Sequence, residues 1–414
     1  MSYLINLSIF RRNRNFSLLY LGQFISFLGT MIAGVALPYQ IYVETHSTLM
    51  VGLLSLVQLL PLMVTALIGG VFADRYHRKL LLLISESILA IGSLLLAFNA
   101  MLPQPYISVM FVVSACMSAF TGLHRPALDS MVQQIVAKED FPTVGSLGTI
   151  KFSISMIAGP AIGGLMLATI GISATYFADF ASFLISLVAI FCITNIPKPP
   201  KEGKDESTIA ALKTGFKYAF SRQELIGTYV VDFIAMVFGM PTALFPAIAM
   251  SFGGAKVLGM LYSAPAVGAL AVSVISGWTT RIKRHGVAVA VSATLWGVAI
   301  IFFGLASNFA LSLFFLALAG AADAVSGIFR MVMWNQTIPN QLRGRLAGIE
   351  MISYLSGPKL GDTEAGLVAA AFGVTASVVS GGVLCVLGVI GCCFFLPKFW
   401  RYHADEELSI LKPE

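Results

Sequence analysis

Among the ionisable residues that stand inside otherwise apolar runs are Arg125, Asp129, Lys151, Asp232, Asp323, Arg330, Glu350 and Lys359. A charge within a membrane-length apolar run costs about 2.5–3.5 kcal/mol on insertion, so each is by default a functional candidate. Arg125 and Asp129 are four apart and share one helical face. Asp323 and Arg330 are seven apart, again on one face, with two turns between them. An arginine's planar fork matches a carboxylate bidentately. Arg125, Lys151, Arg330 and Lys359 therefore read as a cationic receptor for a carboxylate- or catecholate-bearing small molecule. The acids suit a different chemistry, because a carboxyl whose proton affinity changes with access can couple a proton gradient to a cycle. Asp129, Asp323, Asp232 and Glu350 are the proton-coupling candidates, with Asp362 and Glu364 nearby in sequence. A second reading stands beside this one: Arg125 neutralises Asp129, Lys359 neutralises Asp323 or Asp362, and the pairs only hold helices together. Glu86 and Asp179 read as structural acids, and His124 stands next to Arg125.

The elements that must position these charges are membrane helices. Of the 414 residues, 57% are apolar and 11% charged, against about a quarter charged in a soluble domain, and the mean hydropathy is +0.86. At about 20 residues per span, the apolar runs fall at roughly 16–44, 48–74, 80–101, 106–136, 143–170, 173–196, 224–250, 257–280, 286–306, 309–336, 346–371 and 374–397. That leaves no room for a soluble catalytic domain. The five cysteines lie in apolar runs without metal or disulfide spacing, and no phosphate-binding loop or nucleophile elbow is present. The chain reads as no enzyme, with no cofactor and no metal, drawing on an ion gradient. The basic segment after Leu4–Phe10 is no cleavable signal, since its charges follow the apolar patch.

Orientation follows from the positive-inside rule. With the N-terminus in the cytoplasm, Lys256 alone of the 26 Lys and Arg falls in an outside loop and Arg125, Lys151, Arg330 and Lys359 fall in spans; every other one is cytoplasmic. The net charge of +6 is thus a topology signal and not a nucleic-acid footprint. A polar stretch at 197–223 divides the chain into an N-terminal half, 1–196, and a C-terminal half, 224–397, followed by a cytoplasmic tail, 398–414. Gly159-Pro160-Ala161-Ile162-Gly163 echoes in Gly357-Pro358-Lys359-Leu360-Gly361, where Pro358 is expected to break its helix.

Between the second and third spans lies Gly69-Gly70-Val71-Phe72-Ala73-Asp74-Arg75-Tyr76-His77-Arg78-Lys79. This resembles the loop signature G-x-L-A-D-R-x-G-R-K of the major facilitator superfamily, with Phe72 for the usual Leu and His77 for the second Gly. Gly159-Pro160-x-x-Gly163-Gly164 resembles the end of the superfamily's antiporter signature, although Lys151 and Ser155 replace its first glycines. Gly122-x-x-x-Pro126-Ala127, Tyr176-x-x-Asp179-x-x-Ser182-Phe183 and Arg343-Gly344-Arg345 resemble the bacterial branch that holds macrolide exporters and the enterobactin exporter. The resemblance implies an all-α polytopic membrane protein of twelve transmembrane helices in two pseudo-symmetric six-helix halves. It further implies proton-coupled alternating access exporting a small polar molecule, a siderophore first and a drug or macrolide second, from a monomer in the bacterial inner membrane with both termini cytoplasmic. Its partners would be the lipid bilayer, protons and the small-molecule substrate, with no nucleic acid. Gly70, Asp74, Arg75 and Arg78 would form a gate latch, Asp74 meeting the start of the eleventh span and the arginines reaching Glu139 or Asp140. Gly159 and Pro160 would shape the gating helix. A membrane sensor without transport is a third reading, disfavoured because no output domain accompanies the buried charges.

Overall fold

The computed structural model describes residues 7–194, 217–339 and 342–403, and their side chains except at 70–71, 73–75, 343–345 and 347–353. Among the described residues regular structure is helical throughout. In hydrocarbon each backbone N–H and C=O must be satisfied within the segment, which a helix does and a lone strand cannot. The long helices are α1 (Arg14–Thr45), α2 (Thr48–Arg75), α3 (Arg78–Ala100), α4 (Ile107–Ile135), α5 (Phe141–Thr169) and α6 (Gly171–Phe191). They continue with α7 (Gln223–Phe238), the short α8 (Phe245–Phe252), α9 (Ala255–Val274), α10 (His285–Leu305), α11 (Phe309–Thr337), α12 (Arg343–Phe372) and α13 (Val374–Phe395). With α7 and α8 taken as one segment, eleven helices among the described residues are long and apolar enough to cross a membrane. α12 has thirty residues, ample length for a span, and carries more charge than the others.

The seventh span, placed at 224–250, lies within one membrane-length segment, Gln223–Phe252, whose helix pauses at Gly239 and restarts through a 3-10 turn at Thr242–Leu244. Pro241 has no N–H to continue the ladder, so the break is local chemistry. The break expected at Pro358 does not occur, and α12 runs through it. A methyl on Gly357 would stand 2.9 Å from Met236 Cβ, so this stretch is clasped by α7 where the proline lost a bond.

The chain forms two compact units: residues Met1–His46, Val57–Gly203 and Ala249–Ser263, and residues Ser47–Leu56, Lys204–Ile248 and Ala264–Glu414. In the first, α1 packs on α5 and α6, and α3 on α4 and α6. In the second, α7 packs on α12 and α13, and α10 on α11 and α13. The second pattern is the first shifted by six spans. Helix ends use side chains to cover exposed backbone groups. Asn13 accepts from Phe16 N at 3.0 Å to cap α1 and donates to Ile135 O at the end of α4, 2.6 Å away. Lys79, from the cationic loop, donates to Phe191 O and Ile193 O at 2.9 and 2.7 Å, closing the C-terminus of α6.

Close helix contact needs small residues. A methyl added to Gly164 of α5 would stand 2.7 Å from Gly259 of α9. One added to Gly122 of α4 would stand 2.8 Å from Leu62 O and 2.9 Å from Ala66 N of α2.

Candidate functional site

In the first unit α4 presents Arg125 and Asp129 from successive turns, with Arg125 Nε 3.3 Å from Asp129 Oδ2. Both side chains are open, 72% and 60% exposed, so the pair keeps free valences for another group. Lys151 of α5 is within the electrostatic field of both. This cluster has two cations for one acid.

The second unit holds the opposite balance. Arg330 of α11 bonds Asp232 of α7 through Nη1 and approaches Asp323 of its own helix through Nη2 at 3.5 Å. Its side chain is 12% exposed, and Asp232's 14%. The seven-residue spacing of Asp323 and Arg330 closes because the long arginine reaches back along the helix, and Asp232 completes a triad. Among the described residues Arg330 Nε is buried without an acceptor. A cavity of about 140 Å³ opens against the triad, lined by Tyr229, Asp232, Gly327, Arg330, Met331, Trp334 and Tyr354. Tyr229 and Trp334 stack with centroids 5.4 Å apart, and Trp334 Nε1 donates to Thr228 Oγ1 at 2.8 Å, which fixes the indole plane.

Lys359 stands in the field of Asp362, three residues on in α12. Asp362 also accepts from Ser55 Oγ at 2.8 Å, Ala243 N at 2.9 Å and Thr242 Oγ1. The broken seventh span thus turns the start of its second part toward a carboxylate, the favourable end of a helix for negative charge. Of the two partners considered for Lys359, the structure places Asp362 beside it, while Asp323 goes to Arg330.

The side chains of Gly70, Asp74, Arg75 and Glu350 lie outside the described residues. Arg78 is half-buried at the first turn of α3. Asp140, considered as an acceptor for the loop arginines, is bonded by Arg12 of the turn at Ile9–Arg12, 3.2 Å away. Gly159 and Pro160 are buried on α5, Gly159 against Met31 of α1, inside an unbroken helix.

Two polar clusters escaped the reading of the residues. Thr242 and Ala243 at the helix break gave no signal beyond Pro241 in an apolar run. Glu86, read as structural, gathers Gln23, His124 and Ser186 around one carboxylate oxygen. A carboxylate and an imidazole in neighbouring spans were the available signal. Asp179 accepts from Ser93 Oγ at 2.6 Å, and Gln40 accepts from Tyr176 OH at 3.0 Å.

Comparison with known proteins bears on this geometry. The family described as "Transmembrane secretion effector" matches residues 7–410. The enterobactin exporter EntS of Shigella boydii serotype 18 (strain CDC 3083-94 / BS512) is 30% identical over 397 residues, covering 94% of each chain. That of Escherichia coli O1:K1 / APEC shows the same identity and coverage. Among solved structures, a POT family transporter in complex with 5-aminolevulinic acid superposes with a TM-score of 0.74 at 11% identity, covering 94% of this chain and 97% of that one. The nucleoside transporter NupG superposes with a TM-score of 0.70 at 16% identity, covering 93% and 98%. These two show the fold. The chain is therefore a multi-pass membrane transporter and no enzyme. It belongs to the transmembrane secretion effector family of the major facilitator superfamily.

Proposed function

We propose that this transporter exports a siderophore, a small polar iron chelator with acidic groups, from the cytoplasm across the bacterial inner membrane. The observation that carries this is the 30% identity with enterobactin exporters across 94% of the chain. The charge balance supports it. The open Arg125–Asp129–Lys151 cluster, with its excess of cations, suits an anionic ligand. The Asp232–Arg330–Asp323 triad, with its excess of acid, suits a proton, since one arginine cannot neutralise two carboxylates. In this reading substrate contacts are centred on Arg125 and Lys151, and Arg330 acts chiefly through the acids it holds. Lys359 and Glu350 belong to the same cycle as α12 residues. Asp74, Arg75 and Arg78 with Gly70 latch the cytoplasmic side, and Gly159 and Pro160 shape the helix that moves. The protein works as a monomer with both termini in the cytoplasm, by proton antiport.

Deleting the gene and assaying iron-chelating activity in medium and cells tests the reading. Loss from the medium with accumulation inside supports it. A second reading, drug or macrolide efflux, draws on the aromatic cavity of Tyr229, Trp334 and Tyr354. Normal chelator secretion together with new antibiotic sensitivity would select that reading instead.

A further inference from the structure

We infer that Glu86 and His124 together form a proton-binding site of the first unit, filled and emptied through the imidazole. The Glu86 side chain on α3 is 0% exposed. Its Oε1 accepts from Ser186 Oγ of α6 at 3.0 Å and from Gln23 Nε2 of α1, and His124 Nε2 of α4 lies 3.2 Å away. Gln23 also bridges to Ser186 Oγ at 3.2 Å. Among the described residues, Glu86 Oε2 is buried with no hydrogen-bond partner. Every donor therefore converges on one oxygen, and the other is bare. A purely structural carboxylate in a membrane bundle is expected to have both oxygens satisfied.

The groups around Glu86 narrow what can balance its charge. α1 offers Gln23 and α6 offers Ser186, both neutral. The next acid along α6, Asp179, is held by Ser93 of α3, seven residues from Glu86. On α4, Arg125 is turned to Asp129. Among the described residues, no lysine or arginine is paired with Glu86, and His124 is the one contacting group that can become positive. The pair has two neutral forms, carboxylic acid with imidazole and carboxylate with imidazolium. They interconvert by moving one proton between the carboxyl and Nε2. One more proton gives a cationic pair and one fewer an anionic pair, and no other reactant is needed. His124 is 17% exposed where Glu86 is sealed, so the imidazole is the exchange route, a role open to a side chain that both accepts and donates a proton.

This site lies outside the acids assigned above to proton coupling. Its link to cargo rests on the siderophore reading. His124 adjoins Arg125, so a proton on the pair adds positive charge beside the cluster proposed to receive the anion, and reciprocity then makes the bound anion favour the proton.

The test begins without substrate. Infrared difference titration of the purified full-length protein should show a protonated-carboxyl band that is lost as the pH rises. The band should be absent in Glu86→Gln and its midpoint moved by about one unit or more in His124→Gln. A titrating band unchanged in Glu86→Gln, or a midpoint unmoved in His124→Gln, would overturn the site; the second variant decides alone should Glu86→Gln not fold. Enterobactin binding across about pH 6 to 8 then reads the linkage. Wild type should show a several-fold affinity change beyond that of Glu86→Gln, the ligand's own ionisation being common to both. If wild type binds no enterobactin while the band titrates as stated, the siderophore reading falls and the proton site stands.

Discussion

Arg125 and Arg330 look equivalent in the sequence and are not equivalent in the structure. Arg125 is exposed with one acid partner; Arg330, largely covered, lies between the equally covered Asp232 and the more open Asp323. Replacing Arg125 with Ala should therefore leave the fold intact and remove a charge-assisted contact worth about 1.5–3 kcal/mol, roughly a tenfold to hundredfold loss of substrate affinity in a binding titration. Arg330→Ala should act through stability, because it strands the covered carboxylate of Asp232. Breaking such a pair costs about 3–5 kcal/mol, visible as a lowered melting temperature of the purified protein. Adding Asp232→Asn and Asp323→Asn to Arg330→Ala should recover most of that loss without restoring transport. The Arg125–Asp129 pair was legible because four residues make one turn. Asp232 was not legible as the partner of Arg330, since only tertiary packing brings α7 to α11.

At the scale of elements, the break in the seventh span matters most. Asp362 ties together the turn after α7, the start of α2 through Ser55, and α12 itself. Thr48 Oγ1 to Gly366 O at 3.2 Å and Thr363 Oγ1 to Gly52 O at 3.1 Å reinforce the same seam. Asp362→Ala should loosen it. A Ser55→Cys reporter should then react with a soluble maleimide roughly tenfold faster, as expected when about 1.4 kcal/mol of a closed state is lost. Gly164→Leu should lose about 1–3 kcal/mol by overpacking against Gly259, measured by thermal unfolding in detergent. Long apolar runs with charges at their ends made the helices readable. The unbroken α12 was not readable, because Met236 and the helices around it decide whether a proline opens a kink.

For the molecule as a whole, the repeated pattern of helix pairing is what the echoed glycine-proline motifs pointed to. The partition into compact units was less accessible. Residues 47–56 of the N-terminal half of the chain sit in the second unit, and residues 249–263 of the C-terminal half sit in the first. Apolar periodicity reports that a helix exists and is silent on which bundle its first turns join. Expressed as two separate polypeptides, 1–203 and 204–414, the halves should copurify through an affinity tag on either one. Recovery of each half as an independent monomer would refute this.

That exchange of helix starts has an evolutionary corollary. A six-helix ancestor with this packing would have left its second helix without a partner for its opening turns. Two copies lending those turns to each other would have completed the structure. Fusion through a linker would then have preserved an obligate pairing, freeing the two copies to diverge in charge. The opposite balances around Arg125 and Arg330 are what such divergence would produce.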